Sequence, residues 1–477
     1  MVRAMSSKQQ LNRHESFKKR IAVIGGGASG IFAAIAAAEH SHTHVTVLEA
    51  TSKTLQKVKI SGGGRCNVLH DTSKSIPILL NGYPRGNKEL NGLFHKQFTP
   101  SMARDWFEYR GGIELKTESD GRMFPTSDSS QTIIQALLDA AEEEGVELRK
   151  SQKVEKIRSV QAADLCKCPT AAAKQDKNLN SDSSSESPSK GFEIQFKTGA
   201  TESFDAIILA TGSSKTGYLL AQDLGHSLVS PVPSLFTLNC KHDLKPPDGL
   251  LYDLSGISVP NAKVSLSKKQ AQVGPLLVTH HGLSGPAVLR LSAFAARDFA
   301  DVNYRGPITI HWDTSLPTNV EELFEELWKF TMASPKRKIS SGCPLPNNNI
   351  PRRLWANLVS RVGSGSGKVG GSKVVAIPQD LVWGNANKKM IRHLASQIAT
   401  CRLEITGKGT FKDEFVTAGG VNLKEINMKH MASKVCNGLF LCGEVINVDG
   451  VTGGYNFMNC WSTGYVAGHG AADYCKQ

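Results

Sequence analysis

The chain has 477 residues, enough for two or three domains with a sizeable core. Apolar residues make up 40% and charged residues 21%, and the longest apolar run near the N-terminus, residues 31–38, is far too short for a bilayer. No membrane span is therefore expected. The ten cysteines include no CxxC and no paired zinc-ligand spacing, so no metal is expected and a reducing compartment fits: a soluble intracellular protein of the cytoplasm or an organellar matrix or stroma.

The formal charge is +13, from 56 Lys and Arg against 43 Asp and Glu. Much of the excess lies in a basic tail over residues 1–18 and in a stretch over 334–353 holding Lys336, Arg337, Lys338, Arg352 and Arg353. A solvated basic surface explains this, and no nucleic-acid partner is expected because no RNA-binding motif accompanies it.

The tail leads into the most informative segment. Residues 21–24 read as a buried strand, Gly25, Gly27 and Gly30 form GxGxxG, residues 28–40 read as an alanine-rich helix, and 45–48 as a second strand ending at Glu49. Each part has a physical task. Gly25 allows the tight turn, Gly27 lets the backbone approach a diphosphate, and Gly30 lets helix and strand pack closely. Ala28 and Ser29 open the helix, whose free N–H groups and partial positive charge suit phosphate. Glu49 can accept both hydroxyls of an adenosine ribose.

The loop KISGGGRCN, residues 59–67, follows. Gly63 and Gly64 suit a main chain that comes close to an extended cofactor. Arg65 can pair with a diphosphate or a flavin edge, or serve the structure. Asn67 can bond flavin or the loop backbone. Cys66 has no second cysteine close in sequence, so packing is expected rather than redox chemistry.

Further on, residues 100–109 predict a helix, 113–124 a hairpin turning at Asp120-Gly121, 129–144 a helix, and 146–149 a strand. Residues 162–190, with SDSSSESPSK, cannot bury a core and read as a disordered insertion. The flanking runs 153–160 and 192–197 are expected to pair. FDAIILATG, residues 204–212, is a buried strand ending at Thr211 and Gly212, as where a sheet returns beside a cofactor.

From about 231 to 401 the α/β rhythm is lost. Strand-like runs at 234–238, 263–266 and 307–312 precede helix-like runs at 320–330, 352–359 and 387–399. THHGLSGPA, residues 279–287, is a glycine-punctuated turn in which His281 is a candidate proton donor and Ser284 can face substrate or flavin. GSGSGKVGG, residues 363–371, fails as a phosphate loop because Val369 follows Lys368.

The C-terminal stretch GLFLCGEVINVDGVTGGYNF selects the cofactor. A short strand ends at Gly443-Glu444, where the acid can accept hydroxyls of a ribityl chain. Gly453 and Gly454 then open a helix at Tyr455 and Asn456. Its N-terminus can face the flavin edge that gathers negative charge on reduction. Tyr455 is a second candidate acid.

Seven separated segments, VIGGGASGIFAA, KISGGGRCN, GRMFP, FDAIILATG, LLVTHHGLSGPAVLRLS, VTAGGVNLKEI and GLFLCGEVINVDGVTGGYNF, carry a resemblance to the BaiN-like (YhiN-type) FAD-dependent oxidoreductases. The resemblance implies an α/β fold: a Rossmann-like FAD-binding domain built from both chain ends, 19–225 and 405–477, with a β-rich insert carrying a helical subdomain at 226–404. It implies redox activity through FAD. The flavin is expected to take a hydride from a reduced nicotinamide or directly from a small organic substrate, any NAD(P)H visiting only transiently. No second GxGxxG has its own β-α-β unit. The insertions 162–190 and 334–351, and Lys412-Asp413-Glu414 before VTAGGV, depart from the family pattern, so no specific substrate is carried over. An RNA-acting flavoprotein and a non-enzymatic redox sensor are the alternatives.

Overall fold

The computed structural model describes residues 18–160, 191–246, 249–363, 377–378, 380–409 and 416–476. The expected disordered insertion, the glycine-rich 364–371 and the acid-basic cluster at 412–414 lie outside these residues. The chain divides into two units, one formed by Met1–Pro231 with Gly419–Gln477 and the other by Val232–Ala418.

The first unit is built on a seven-stranded sheet. Its strands run in the order Ile426–Asn427, Ala432–Ser433, Leu439–Leu441, Ala206–Leu209, Lys19–Ile24, Thr43–Leu48 and Glu147–Arg149. The last five pair in parallel, with registers Ile207↔Leu439, Ile21↔Ala206, Ile21↔Val45 and Thr46↔Glu147. Parallel strands are covered on both faces, which is why Ile21–Ile24 and Ala206–Leu209 are buried at every position. The hairpin is present as Leu115–Thr117 with Arg122–Pro125, and the runs around 153–160 and 192–197 pair antiparallel as Val154–Val160 with Gly191–Phe196.

Two helices pack against each other on this sheet. Ala28–Ala38 is apolar nearly all round and buried along almost its whole length, so it has no solvent stripe. Tyr455–Tyr474 lies on it at backbone distance. A Cβ at Gly468 would stand 2.3 Å from the Ala33 carbonyl oxygen, and one at Gly464 2.7 Å from that of Ser29. Beside this contact Phe32 meets Phe98, Trp106, Phe107 and Trp461 at centroid distances of 4.7–6.3 Å.

The second unit is a seven-stranded antiparallel sheet. Its long members are Cys401–Ile405, Gly306–His311, Ser258–Ser265 and Ala271–Thr279, paired for example at Lys263↔His311 and Ser258↔Leu277. The helices Val320–Ala333, Arg352–Gly363 and Lys388–Ala399 complete it, and Trp312, Trp355 and Trp383 are fully buried in its core. The run 234–238 is not a continuous strand: Leu235 has φ 59°, which ends Leu228–Ser234 before Leu238–Asn239 begins. The expected boundary between 404 and 405 falls inside Cys401–Ile405, and pairing of Gly306 with Ile405 extends this sheet through it.

The helix contact sets the first prediction. Gly468→Leu forces a side chain into the Ala33 carbonyl and lowers the unfolding free energy by about 2–3 kcal/mol, measurable by urea titration. The same substitution at the exposed Gly92, inside the helix Asn87–Lys96 and with nothing within 4 Å of a Cβ, leaves stability unchanged or raises it by up to about 1 kcal/mol.

Candidate active site

The carboxyl ends of the parallel strands are where open α/β sheets bind ligands. Most of the expected site residues lie there. The strand Lys19–Ile24 passes through Gly25 into the helix at Ala28. Gly30 packs so closely that a Cβ would lie 1.9 Å from the Gly25 carbonyl oxygen. Gly27, just before the helix start, has the opposite environment, with nothing within 4 Å of its Cβ position. Glu49 is positioned by its own backbone neighbours: Gly26 N donates to Oε2, and Thr51 N and Oγ1 donate to Oε1, each at 2.8 Å. A carboxylate has further lone pairs for two ribose hydroxyls.

The glycine loop turns left-handed. Gly62, Gly63 and Gly64 have φ of 56°, 70° and 89°, and Cys66 adopts φ 58°, costly for a residue with a side chain. Gly63 and Gly64 also face open space. Arg65 points elsewhere. Its Nη1 donates to Glu118 Oε1 at 2.9 Å and Asp128 Oδ1 at 3.2 Å, and its guanidinium lies 3.9 Å above the Phe124 ring. Its partners are those of a structural clamp on the hairpin, not of a diphosphate contact. Asn67, oriented to satisfy both amide atoms, donates to Leu69 O at 2.9 Å and accepts from Gly454 N at 3.1 Å. Of its two expected roles, this geometry is the backbone one.

The same contact ties the loop to the C-terminal motif. Gly453 and Gly454 have φ of 114° and 91°, and a Cβ on Gly454 would lie 2.2 Å from the Leu69 carbonyl carbon. His70 accepts nothing from this turn. Its Nδ1–H donates to Gly453 O at 2.9 Å, while Nε2 accepts from Lys74 Nζ at 3.1 Å. Burial pushes its pKa down, so the ring is neutral. Tyr455 is buried, stacked on His70 at 4.6 Å and edge-on to Tyr83 at 5.5 Å. Asn456 uses both amide atoms on Gly450, accepting from its N at 2.8 Å and donating to its O at 2.9 Å. It shapes the 450–456 turn and keeps one amide N–H and one oxygen lone pair beyond these two bonds.

Glu444 ends the last parallel strand and is only 11% exposed. Gly443 N donates to Thr463 Oγ1, and a Cβ on Gly443 would stand 2.2 Å from Ser29 Oγ. Gly212 lies beside Glu444, its Cβ position 3.6 Å from Oε2. Thr211 Oγ1 is buried without a hydrogen-bond partner. His281 belongs to the other unit, exposed on the turn between Ala271–Thr279 and Gly282–Ser284.

Three residues that brace these loops have no sequence signal that reveals them. Lys57 reaches Glu444 from 387 residues away, His70 carries no motif of its own, and Arg85 forms a bidentate pair with the buried Asp449. The open space before Gly27, Gly63 and Gly64 and the carboxylates Glu49 and Glu444 fit an extended dinucleotide. Among the described residues no cluster of His, Cys, Asp and Glu could hold a metal ion, and no helix is long and apolar enough to cross a membrane.

Burial pushes the Cys66 thiol up to about 12. We predict that iodoacetamide at pH 8 leaves Cys66 unmodified in the folded protein and labels it only after denaturation, read by mass spectrometry. Rapid labelling of the native protein is the contrary result.

The HI0933-like protein Rossmann domain profile matches residues 19–470. Over 468 residues, 95% of this chain and 99% of the relative, the sequence is 27% identical to the 3-dehydro-bile acid delta(4,6)-reductase of Clostridium scindens. Over 444 residues, 93% of this chain and 96% of the relative, it is 26% identical to the ribosomal RNA dihydrouridine synthase of Haemophilus influenzae. Among solved structures, the open conformation of a flavocytochrome c3 fumarate reductase aligns over 98% of this chain and 81% of that one, at 16% identity and a TM-score of 0.44. The 3-ketosteroid delta1-dehydrogenase of Sterolibacterium denitrificans aligns over 96% and 100%, at 10% identity and a TM-score of 0.44.

Proposed function

The chain belongs to the HI0933-like family of Rossmann-type flavoprotein oxidoreductases, and we propose that it is an FAD-dependent reductase of a carbon–carbon double bond conjugated with a carbonyl. The observation that carries this reading is the shared edge of the first unit. There the GxGxxG helix start, Glu49 and Glu444 follow neighbouring parallel strands of one sheet, and Gly27, Gly63 and Gly64 leave main chain facing open space. The names of the two curated relatives support the substrate class, since a delta(4,6)-reductase of a 3-dehydro compound and a dihydrouridine synthase share that chemistry.

In this reading Glu49 holds the adenosine ribose and the N–H groups of Ala28 and Ser29 hold the diphosphate. Gly63 and Gly64 let the main chain approach, and Glu444 accepts ribityl hydroxyls. The helix start at Tyr455 lies toward the isoalloxazine end, with its turn held by Asn67 and Asn456. FAD supplies reversible two-electron chemistry when bound. In this reading NAD(P)H is the reductant and visits the flavin transiently.

The purified protein is expected to show the absorption bands of an oxidised flavin, to bleach when mixed anaerobically with NADH or NADPH, and to recover colour when an α,β-unsaturated ketone is added. Absence of flavin bands overturns the cofactor assignment. Recovery with oxygen alone and not with the enone overturns the substrate class.

Two observations favour a second reading, in which the double bond belongs to a uracil base within RNA. The net charge is +13 and a relative is named for that substrate. RNA affinity is then expected to fall steeply as salt rises, measured by filter binding or anisotropy, and a flat response removes the RNA reading.

A further inference from the structure

Lys57 is absent from every expectation above, yet it stands where the site is most acidic. Its Nζ donates to Glu444 Oε2 at 2.6 Å and to Ser213 Oγ at 3.1 Å. These partners follow the neighbouring parallel strands Leu439–Leu441 and Ala206–Leu209, so one ammonium bridges the carboxyl ends of both. Lys57 itself comes from Gln56–Ile60, the short helix that runs into the glycine loop.

The surroundings make a purely structural ion pair a poor account. Glu444 adjoins Gly443, whose Cβ position lies 2.2 Å from Ser29 Oγ in the first turn of the glycine-led helix. A dinucleotide diphosphate would bring two negative charges to that turn, beside the carboxylates Glu49 and Glu444. The helix N-terminus offers only about half a positive charge. Three arginines of the surrounding motifs are committed: Arg65 to Glu118 and Asp128, Arg85 to Asp449, Arg122 to Glu118 and Asp120. Lys57 is half exposed, and an ammonium has three donors, of which two are used here.

We propose that Lys57 is a further cofactor-binding residue, whose ammonium, held at the sheet edge by Glu444 and Ser213, neutralises the diphosphate of the dinucleotide. This rests on the flavin reading above. Glu444 thereby has two tasks, as an acceptor for ribityl hydroxyls and as the anchor that aims Lys57.

The test uses the full chain stripped of flavin, with Lys57→Met and Lys57→Arg alongside the wild type. Each is titrated calorimetrically with FAD, ADP and adenosine, and melting curves confirm folding. Lys57→Met is expected to weaken FAD and ADP binding by about tenfold, the scale of one charge-assisted contact, and to leave adenosine unchanged. Lys57→Arg is expected to restore most of the loss, and Lys57→Gln replaces the Met variant if that fails to fold. Unchanged ADP affinity, or an equal loss for adenosine, overturns the proposal. If the wild type takes up no FAD, the flavin reading itself falls; if wild type and Lys57→Met take it up equally, only the role of Lys57 falls.

Discussion

The first unit depends on one backbone-level contact, the seating of Tyr455–Tyr474 on Ala28–Ala38. Gly464 and Gly468 bring the second helix against the carbonyl oxygens of Ser29 and Ala33, where no side chain fits. Gly30 does the same between the first helix and its own turn. The strand ends carrying Glu49 and Glu444 belong to one sheet with two strands between them, so the ladder sets their spacing. Close packing decides where the glycine-led helix starts, with Ser29 against Gly443, and so sets that helix end beside the acids the sheet has placed.

The polar residues of the two signature loops mostly serve each other. Asn67 holds Gly454, His70 holds Gly453 and stacks on Tyr455, Trp461 Nε1 donates to Val68 O at 3.0 Å, and Asn456 closes its own turn. Arg65 anchors the far side through two carboxylates and an aromatic face. These bonds leave main-chain surfaces, at Gly27, Gly63 and Gly64, as the parts that face open space. A site made of fixed backbone needs such cross-bonding, because a loop of three glycines has no rigidity of its own. It also explains why SGGGRCN and DGVTGGYNF occur in one chain: they are two sides of one contact.

Much of this was legible from local pattern. The strand at 21–24, the helix after it, Glu49 and the strand at 204–212 are short-range signals, and the sheet pairs them as expected. The side-chain partners were not legible, since Lys57 and Glu444 lie 387 positions apart and Arg65 and Glu118 lie 53 apart. Composition cannot rank Arg65 between a phosphate and a carboxylate until the hairpin that carries Glu118 is placed. In the insert, Ala271–Thr279 was missed because Gly274 and Pro275 break the alternation that marks a strand. Leu235 was misread for the converse reason: an apolar residue inside an apolar run gives no hint of a left-handed backbone.

The chain order of the first unit has a consequence for biosynthesis. Lys19–Ile24, Thr43–Leu48 and Ala206–Leu209 emerge early, but Leu439–Leu441 and Tyr455–Tyr474 emerge only after all of 232–418 has been made. Through that interval the apolar face of Ala28–Ala38 lacks the helix that covers it. The insert has its own core and can fold meanwhile. The nascent first unit must therefore wait half-assembled, with a sticky helix exposed, and its nucleotide pocket closes as a late event in translation rather than an early one.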